Sequence, residues 1–120
     1  MKTLTIGDLK ARIPIIQGGM GVGISLSGLA SAVANEGGIG VISAAGLGLL
    51  YKKLSPSNYT EAGNLGLAEE IRKAREKAKG IIGVNVMVAL SDFAELVKTS
   101  IAEKVDIIFS GRSEERRVGK

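Results

Sequence analysis

The sequence lacks two residue types that supply many metal sites and active sites. It contains no cysteine, which excludes a disulfide scaffold and thiolate chemistry. It also contains no histidine, the commonest acid–base side chain and the commonest metal ligand. We therefore expect no metal site in this chain.

The small number of aromatic residues and the lack of a long apolar run exclude further classes of protein. Two tyrosines, two phenylalanines and no tryptophan are too few for the base-stacking platforms of a nucleic-acid-binding protein. No apolar run reaches the roughly 18 residues of a membrane span, and MKTLTIGDLK lacks the apolar core of a signal peptide. The net charge is +4, but half of the excess lies in residues 112–120. We expect a cytoplasmic protein that binds neither nucleic acid nor membrane.

Apolar segments of two kinds alternate along the chain. Short β-branched segments predict strands, and apolar residues three or four apart predict helices. The predicted strands are 13–17, 39–43, 81–87 and 105–109, and the predicted helices are 28–36, 67–79 and one that begins at a Ser91 cap. Ser25 or Ser27 is expected to cap the first helix. The stretch 44–64 is expected to be irregular, and Glu69, Glu70 and Glu76 are expected on a solvated helix face.

The order β-α-β-α-β-α-β indicates a parallel sheet covered by helices. The predicted strands start about 25, 43 and 23 residues apart, near the roughly 30-residue unit of a (β/α)8 TIM barrel. We therefore predict an α/β fold of the TIM-barrel type, with only the first four strands and three helices present. Half a barrel leaves both sheet edges open, which favours a truncated protein.

The end of the chain does not continue this pattern. Residues 112–120, RSEERRVGK, have no hydrophobic period, and they match a translation of a string that resembles a common sequencing adapter. We predict that residues 1–111 are the N-terminal half of the barrel and that residues 112–120 are a non-native tail. A solvated basic tail is the alternative.

The densest candidate for a ligand site is residues 17–23, QGGMGVG, directly after the first predicted strand. Glycines let backbone amides approach a ligand closely and allow positive φ. The segment has neither the GxGxxG spacing of a dinucleotide fingerprint nor the lysine of a P-loop. Spacing alone leaves two interpretations open, a tight strand-to-helix turn and a backbone-lined ligand site.

Asn85 is a second candidate, because it stands inside an otherwise apolar strand. A buried amide must be hydrogen-bonded, and the C-terminal ends of barrel strands are where polar groups serve a ligand. The alternative is that Asn85 only satisfies a loop backbone. Ser43 and Ser110 also end predicted strands, and each is a candidate for ligand contact.

The motifs PIIQGGMGVG, LASAVANEGGIGVIS, GVNVM and VDIIFSG occur in this order over residues 12–111. In this combination the chain resembles the N-terminal half of the nitronate monooxygenase family, formerly called 2-nitropropane dioxygenases. It is also similar to the flavin-dependent enoyl-acyl-carrier-protein reductases. The resemblance implies a (β/α)8 barrel that binds FMN at the C-terminal ends of its strands.

The resemblance also implies which residues bind the cofactor. The positions that match the family's flavin-binding residues are Gln17, Gly18, Gly19, Met20, Gly21 and Asn85. The glycine turn would lie against the flavin ring, and Gln17 would close that turn. The family's catalytic histidine and phosphate loops have no counterpart here, so the catalytic residue would lie beyond residue 111.

Three hypotheses about function follow. The favoured one is FMN-dependent oxidation of alkyl nitronates by dioxygen in the intact protein, with a small-molecule substrate. The first alternative is an FMN- and NAD(P)H-dependent enoyl-acyl-carrier-protein reductase. The second is a non-catalytic half-barrel that assembles with a copy of itself or with a partner half. We expect the 120-residue chain alone to be inactive and to bind FMN weakly or not at all.

Overall fold

The computed structural model describes residues 2–111, so the predicted tail at 112–120 lies outside the described residues. The elements in chain order are β1 (Leu4–Ile6), β2 (Leu9–Ala11), α1 (Ser27–Asn35), β3 (Ile39–Ser43), α2 (Leu47–Leu50), α3 (Tyr59–Lys77), β4 (Ile81–Met87), α4 (Phe93–Ala102) and β5 (Ile107–Gly111). Strands β3, β4 and β5 form a parallel sheet in that order, and β1 pairs with β2 in an antiparallel hairpin.

The parallel strands lie where the apolar segments predict them, with one shift. Strands β3 and β4 have the predicted bounds. Strand β5 begins at Ile107, two residues later than predicted, because Asp106 is held differently from a strand residue. Its N–H donates to the Ile82 carbonyl oxygen at 2.9 Å, and its carboxylate accepts from the Ile82 N–H at 2.9 Å. Asp106 therefore fixes where β5 starts beside β4.

The predicted strand at 13–17 is reduced to a single parallel bridge between Ile16 and Ile39. The segment still bonds to the chain before and at the start of β3: the Ile13 N–H donates to the Gly37 carbonyl oxygen, the Gln17 N–H donates to the Ile39 carbonyl oxygen, and the Ile15 carbonyl oxygen accepts from the Ile39 N–H. The side chains of Ile15 and Ile16 are 55% and 43% exposed, so the prediction of a buried strand is wrong for this segment. The parallel sheet in the described residues has three strands where four were predicted.

The helices differ from the prediction mainly at their starts. The stretch 44–64 is not irregular throughout, because it contains α2 and the beginning of α3. Asn58 begins α3 by accepting a hydrogen bond from the Glu61 N–H at 3.0 Å. The N-cap of α4 is Asp92, so the prediction of a Ser91 cap is wrong. The described residues form four helices where three were predicted.

Helices α1, α3 and α4 pack on one face of the parallel sheet. The sheet residues that contribute to this core are Ile42, Ile82, Val84 and Val86. Because side chains alternate along a strand, Ile39 and Val41 point to the other face, which we call the inner face. Ala11 of the hairpin packs there. Helices on a single face of the described sheet differ from a doubly wound fold and are compatible with part of a TIM-barrel-like fold.

The N-terminal hairpin is an element that the sequence-based prediction missed. Gly7 occupies its turn with φ of +58°, a conformation that favours glycine. Leu4 and Ile6 then pack against the inner-face cluster of the parallel sheet. The hairpin thus covers part of the face that the helices leave open. Over residues 2–111, none of the helices has the length and apolar character needed to cross a membrane.

Candidate functional site

Gln17 extends the parallel sheet with its side chain. Its backbone N–H donates to the Ile39 carbonyl oxygen at 3.0 Å. Its side-chain Oε1 then accepts from the Val41 N–H at 3.0 Å, and its Nε2 donates to the Val41 carbonyl oxygen at 3.0 Å. The amide takes the place of a further backbone partner, so the main chain leaves the sheet at Gly18. Gln17 therefore anchors residues 17–23, which we call the glycine segment.

The glycine segment approaches the sheet most closely at Gly19. A Cβ atom there would lie 2.3 Å from Cγ1 of Val41, which no real side chain allows. A Cβ atom at Gly18 would have no neighbour within 4 Å, so open space lies beside that residue. Gly21 has φ of +90°, in the left-handed region. The glycines thus serve both a close backbone approach and a turn.

Asn85 ties the glycine segment to β4. It lies on the inner face, in register with Ser43 of β3 and Phe109 of β5. Its Nδ2 donates to the Gly19 carbonyl oxygen at 2.8 Å and to Met20 Sδ at 3.3 Å. In the described part of the chain, its Oδ1 accepts no hydrogen bond. The NH2 group of Asn85 thus bonds to the glycine segment, and its Oδ1 is free to accept a hydrogen bond from a ligand.

The carbonyl and N–H groups of the glycine segment differ in their partners. The hydroxyl of Ser25 donates to the Gly18 carbonyl oxygen at 3.1 Å, and Asn85 holds the Gly19 carbonyl oxygen. Across the residues that the structure describes, the N–H groups of Gly18, Gly19 and Met20 donate to no protein atom. Backbone N–H groups without an acceptor are donors for electronegative ligand atoms.

The structure brings Gly18, Gly19, Met20 and Asn85 together at the C-terminal end of the sheet. Met20 is 57% exposed there, so its thioether presents a polarisable apolar surface. A Cβ atom at Gly21 would lie 2.9 Å from Ile24, so this glycine faces its own turn. Gln17 fixes the position of the segment, but its side-chain amide is not free, because both of its ends bond to the Val41 backbone.

The two serine candidates lie differently. Ser43 is 2% exposed, and its hydroxyl accepts from the Ala45 N–H at 3.4 Å. Its N–H donates to the Ser25 carbonyl oxygen at 2.7 Å. Ser43 therefore joins β3 to the chain that follows the glycine segment. Ser110 is exposed on β5, the last strand of the described sheet.

A buried polar cluster lies behind the glycine segment. Glu70 of α3 is 4% exposed, so the prediction of a solvated face is wrong for this residue. Its Oε1 accepts from the Ser27 N–H at 2.8 Å, and its Oε2 accepts from the Tyr51 hydroxyl. Lys73 Nζ lies 3.7 Å from the same Oε2 and donates to the Tyr51 hydroxyl oxygen at 3.3 Å.

The sequence does carry a signal for this burial. Glu70 lies three residues after Leu67 and four before Ala74, and both of these residues are fully buried. Residues three and four apart share a helix face. The charge of Glu70 obscures its position on the apolar face of α3, and its partner Tyr51 is far away in sequence. A buried carboxylate at such a position requires hydrogen-bond partners, which the fold supplies.

Glu70 also replaces the expected cap of α1. The N-cap residue is Leu26, and no side chain of its own turn caps the helix, so the prediction of a Ser25 or Ser27 cap is wrong. Burial raises the pKa of Glu70, but the hydrogen bonds from Tyr51 and Ser27 outweigh it and leave that pKa below its ordinary value. Burial, together with the bond to Glu70, raises the pKa of the Tyr51 hydroxyl.

The described residues form a parallel α/β fold, with unpaired backbone N–H groups at the carboxyl end of the sheet, the end where such sheets bind ligands. A family model described as nitronate monooxygenase matches residues 2–115. The chain belongs to the nitronate monooxygenase family.

A solved structure gives a second comparison. FabK from Thermotoga maritima matches 83% of this chain at 28% sequence identity, with a TM-score of 0.62. The chain spans 27% of the length of that structure. A comparison with curated proteins found no match.

The residues of the site fit one part of a flavin. Free N–H groups at Gly18, Gly19 and Met20, with the free Oδ1 of Asn85, suit the polar edge of a flavin ring. The N-terminus of α1 does not suit the phosphate, because the Glu70 carboxylate already accepts from its Ser27 N–H. Two anions would compete for one helix end.

Proposed function

We propose that the intact protein is an FMN-dependent nitronate monooxygenase built on a (β/α)8 barrel. The observation that carries the proposal is the glycine segment, which Asn85 holds at the carboxyl end of the sheet with three N–H groups free. Membership of the nitronate monooxygenase family supports the reaction class. The helices on one face of the described sheet support the barrel.

The residues of the candidate site would hold the cofactor in different ways. The N–H groups of Gly18, Gly19 and Met20 would bind the ring, and Asn85 Oδ1 would accept from it. The Met20 thioether would contact the ring surface. Gln17 would keep the segment in place through its two bonds to Val41. When bound, FMN supplies the electron transfer by which dioxygen oxidises an alkyl nitronate to a carbonyl compound and nitrite.

The glycine segment and Asn85 offer no acid–base group, which suits this substrate. An alkyl nitronate is already deprotonated at carbon, so these residues need only bind and orient. A backbone-lined site with free N–H groups also favours an anionic ligand electrostatically. The chain's contribution is therefore positioning and a favourable field.

We further propose that the FMN phosphate binds outside residues 2–111. The N-terminus of α1 holds the Glu70 carboxylate. Phosphate sites of TIM barrels commonly follow strands seven and eight. The described sheet, with its three parallel strands, would supply the ring side of the cofactor site.

A second candidate is an NAD(P)H-dependent enoyl-acyl-carrier-protein reductase that also uses FMN. The structural likeness to FabK is the observation that supports it. The two candidates differ in their electron donor. A nitronate is oxidised itself and needs no nicotinamide, whereas an enoyl thioester is reduced and requires one.

The test is a pair of assays on the product of the complete gene, loaded with FMN. We expect oxygen uptake and nitrite release with the nitronate of 2-nitropropane, without NAD(P)H. NAD(P)H oxidation stimulated by crotonyl thioester, with no nitronate-dependent oxygen uptake, would replace the proposal with the reductase. Absence of FMN binding by this protein would overturn both candidates.

A further inference from the structure

Glu70 is the only acidic or basic side chain among the buried residues that the structure describes. Each of its two carboxylate oxygens bonds to a different segment of the chain. One is the start of α1, which follows the glycine segment. The other is Tyr51, at the end of residues 44–51, which we call the α2 segment. The glycine segment follows the bridge between Ile16 and Ile39, and the α2 segment follows β3, so both lie at the carboxyl edge of the sheet.

The first oxygen reaches the glycine segment through α1. Oε1 accepts from the Ser27 N–H at 2.8 Å. Two residues earlier, the Ser25 hydroxyl donates to the Gly18 carbonyl oxygen at 3.1 Å. The Ser25 carbonyl oxygen accepts from the Ser43 N–H at 2.7 Å. Glu70 therefore holds the same turn of chain whose serine holds Gly18.

The second oxygen reaches the α2 segment. Oε2 accepts from the Tyr51 hydroxyl, and the Tyr51 N–H donates to the Leu47 carbonyl oxygen at 2.9 Å, which closes α2. A Cβ atom at Gly46 would lie 2.6 Å from the Val22 side chain, so the α2 segment lies directly against the glycine segment. Movement at Tyr51 would therefore reach the glycine segment from its other side.

We propose that Glu70 is a positioning residue of the flavin site, whose two oxygens hold the glycine segment and the α2 segment in a fixed relation. The inference rests on the proposed function for the identity of the ligand. In this arrangement a carboxylate outside the site sets the positions of the backbone N–H groups within it. Lys73 Nζ lies 3.7 Å from Oε2 of the carboxylate and donates to the Tyr51 hydroxyl oxygen.

The test compares variants of the product of the complete gene. Glu70→Ala removes both acceptors. Glu70→Gln keeps an acceptor for Ser27, but its NH2 group confronts a Tyr51 hydroxyl that already accepts from Lys73. Glu76→Ala is the matched control, because Glu76 is exposed on the same helix. The readouts are FMN affinity, by fluorescence titration, and amide hydrogen exchange across both segments.

We expect Glu70→Ala to bind FMN about tenfold more weakly, because the segments that carry and flank the free N–H groups would no longer be held in one position before the cofactor binds. Amide exchange should become faster in both segments. Glu70→Gln should recover part of the FMN affinity, and Glu76→Ala should match the wild type. If Glu70→Ala does not fold, Glu70→Gln and Tyr51→Phe carry the test, each with weaker FMN binding in a protein that is still folded at the temperature of the assay.

Two results would overturn the inference. One is unchanged FMN affinity in Glu70→Ala or in both substitute variants. The other is faster exchange confined to α1, which would reduce Glu70 to a helix cap. A wild-type protein that binds no FMN would instead count against the proposed function. The exchange data would then still decide whether Glu70 holds both segments.

Discussion

The side-chain amide of Asn85 donates a hydrogen bond to the Gly19 carbonyl oxygen at 2.8 Å, across 66 positions of sequence. This bond joins the strand β4 to the glycine segment where a Cβ atom on Gly19 would not fit. It also explains why an asparagine stands among the apolar residues of β4. The amide donates to the Gly19 carbonyl oxygen, and within the described residues its Oδ1 accepts no hydrogen bond.

Asn85→Ala should weaken FMN binding more than it weakens the fold. Loss of one hydrogen bond lowers the free energy of unfolding by about 1 kcal/mol. Loss of the Gly19 anchor and of the free Oδ1 should reduce FMN affinity about tenfold, measured by fluorescence titration. Asn35→Ala is the control, because Asn35 donates to the Lys77 carbonyl oxygen at 2.9 Å far from the site. Equal FMN affinity in both variants would contradict the role of Asn85.

Substitution by alanine should lower the stability of the protein at Gly19 but not at the neighbouring Gly18. Gly19→Ala places a Cβ atom 2.3 Å from Val41 and should destabilise the protein by about 1–3 kcal/mol through overpacking. Gly18→Ala meets no protein atom within 4 Å and should leave the melting temperature unchanged. If the flavin lies beside Gly18, this variant should still bind FMN more weakly. Chemical denaturation and FMN titration of both variants separate the two effects.

Gly40 and Gly28 provide a second matched pair, concerning the packing of α1 on β3. A Cβ atom at Gly40 would lie 1.9 Å from the Ala30 carbonyl oxygen, so Gly40→Ala should push the helix away and cost about 3 kcal/mol. Gly28 lies within α1 with nothing near its Cβ position. Gly28→Ala should therefore stabilise the protein by about 0.5–1 kcal/mol. A stable Gly40→Ala variant would show that α1 packs differently.

Acid should destabilise the protein through Glu70. Its pKa in the folded state lies below the ordinary value of 4.5, because hydrogen bonds from Tyr51 and Ser27 outweigh burial. Its stabilising contribution is thus complete above pH 4.5 and is lost as the pH falls below that value. The groups that face it are the Tyr51 hydroxyl, the Ser27 N–H and the Lys73 ammonium.

Melting temperatures between pH 7 and pH 3 check this expectation. The wild type should lose more stability on acidification than Glu70→Gln, which has no carboxylate to protonate. Glu76→Gln should follow the wild-type curve, because Glu76 is exposed. Parallel curves for the wild type and Glu70→Gln would contradict a stabilising role for the Glu70 charge.

The parallel sheet could be predicted because its strands are short, apolar and β-branched. The bounds of β3 and β4 agree with the predicted segments. The segment 13–17 has the same composition, yet it forms one bridge, because beyond Ile39 the side-chain amide of Gln17 pairs with Val41 in place of the backbone. Composition does not distinguish a backbone ladder from one that a side-chain amide continues.

Polar contacts between residues far apart in the chain could not be predicted from the sequence. Glu70 looks like one more charge on a helix until Ser27 and Tyr51 are seen beside it. The hairpin was missed because its strands are only three residues each, although Gly7 marks its turn. The sequence made both Asn85 and the glycine segment candidates for ligand contact, but it did not predict the hydrogen bond that joins them.

The most direct test of the flavin site follows backbone amide resonances while FMN is added to the product of the complete gene. We predict saturable shifts at Gly18, Gly19 and Met20, whose N–H groups are free, and at the Asn85 side chain. The Gly28 amide, in α1, should not move. Saturable FMN binding that leaves the first three amides unshifted would contradict the account, because the cofactor would then lie elsewhere.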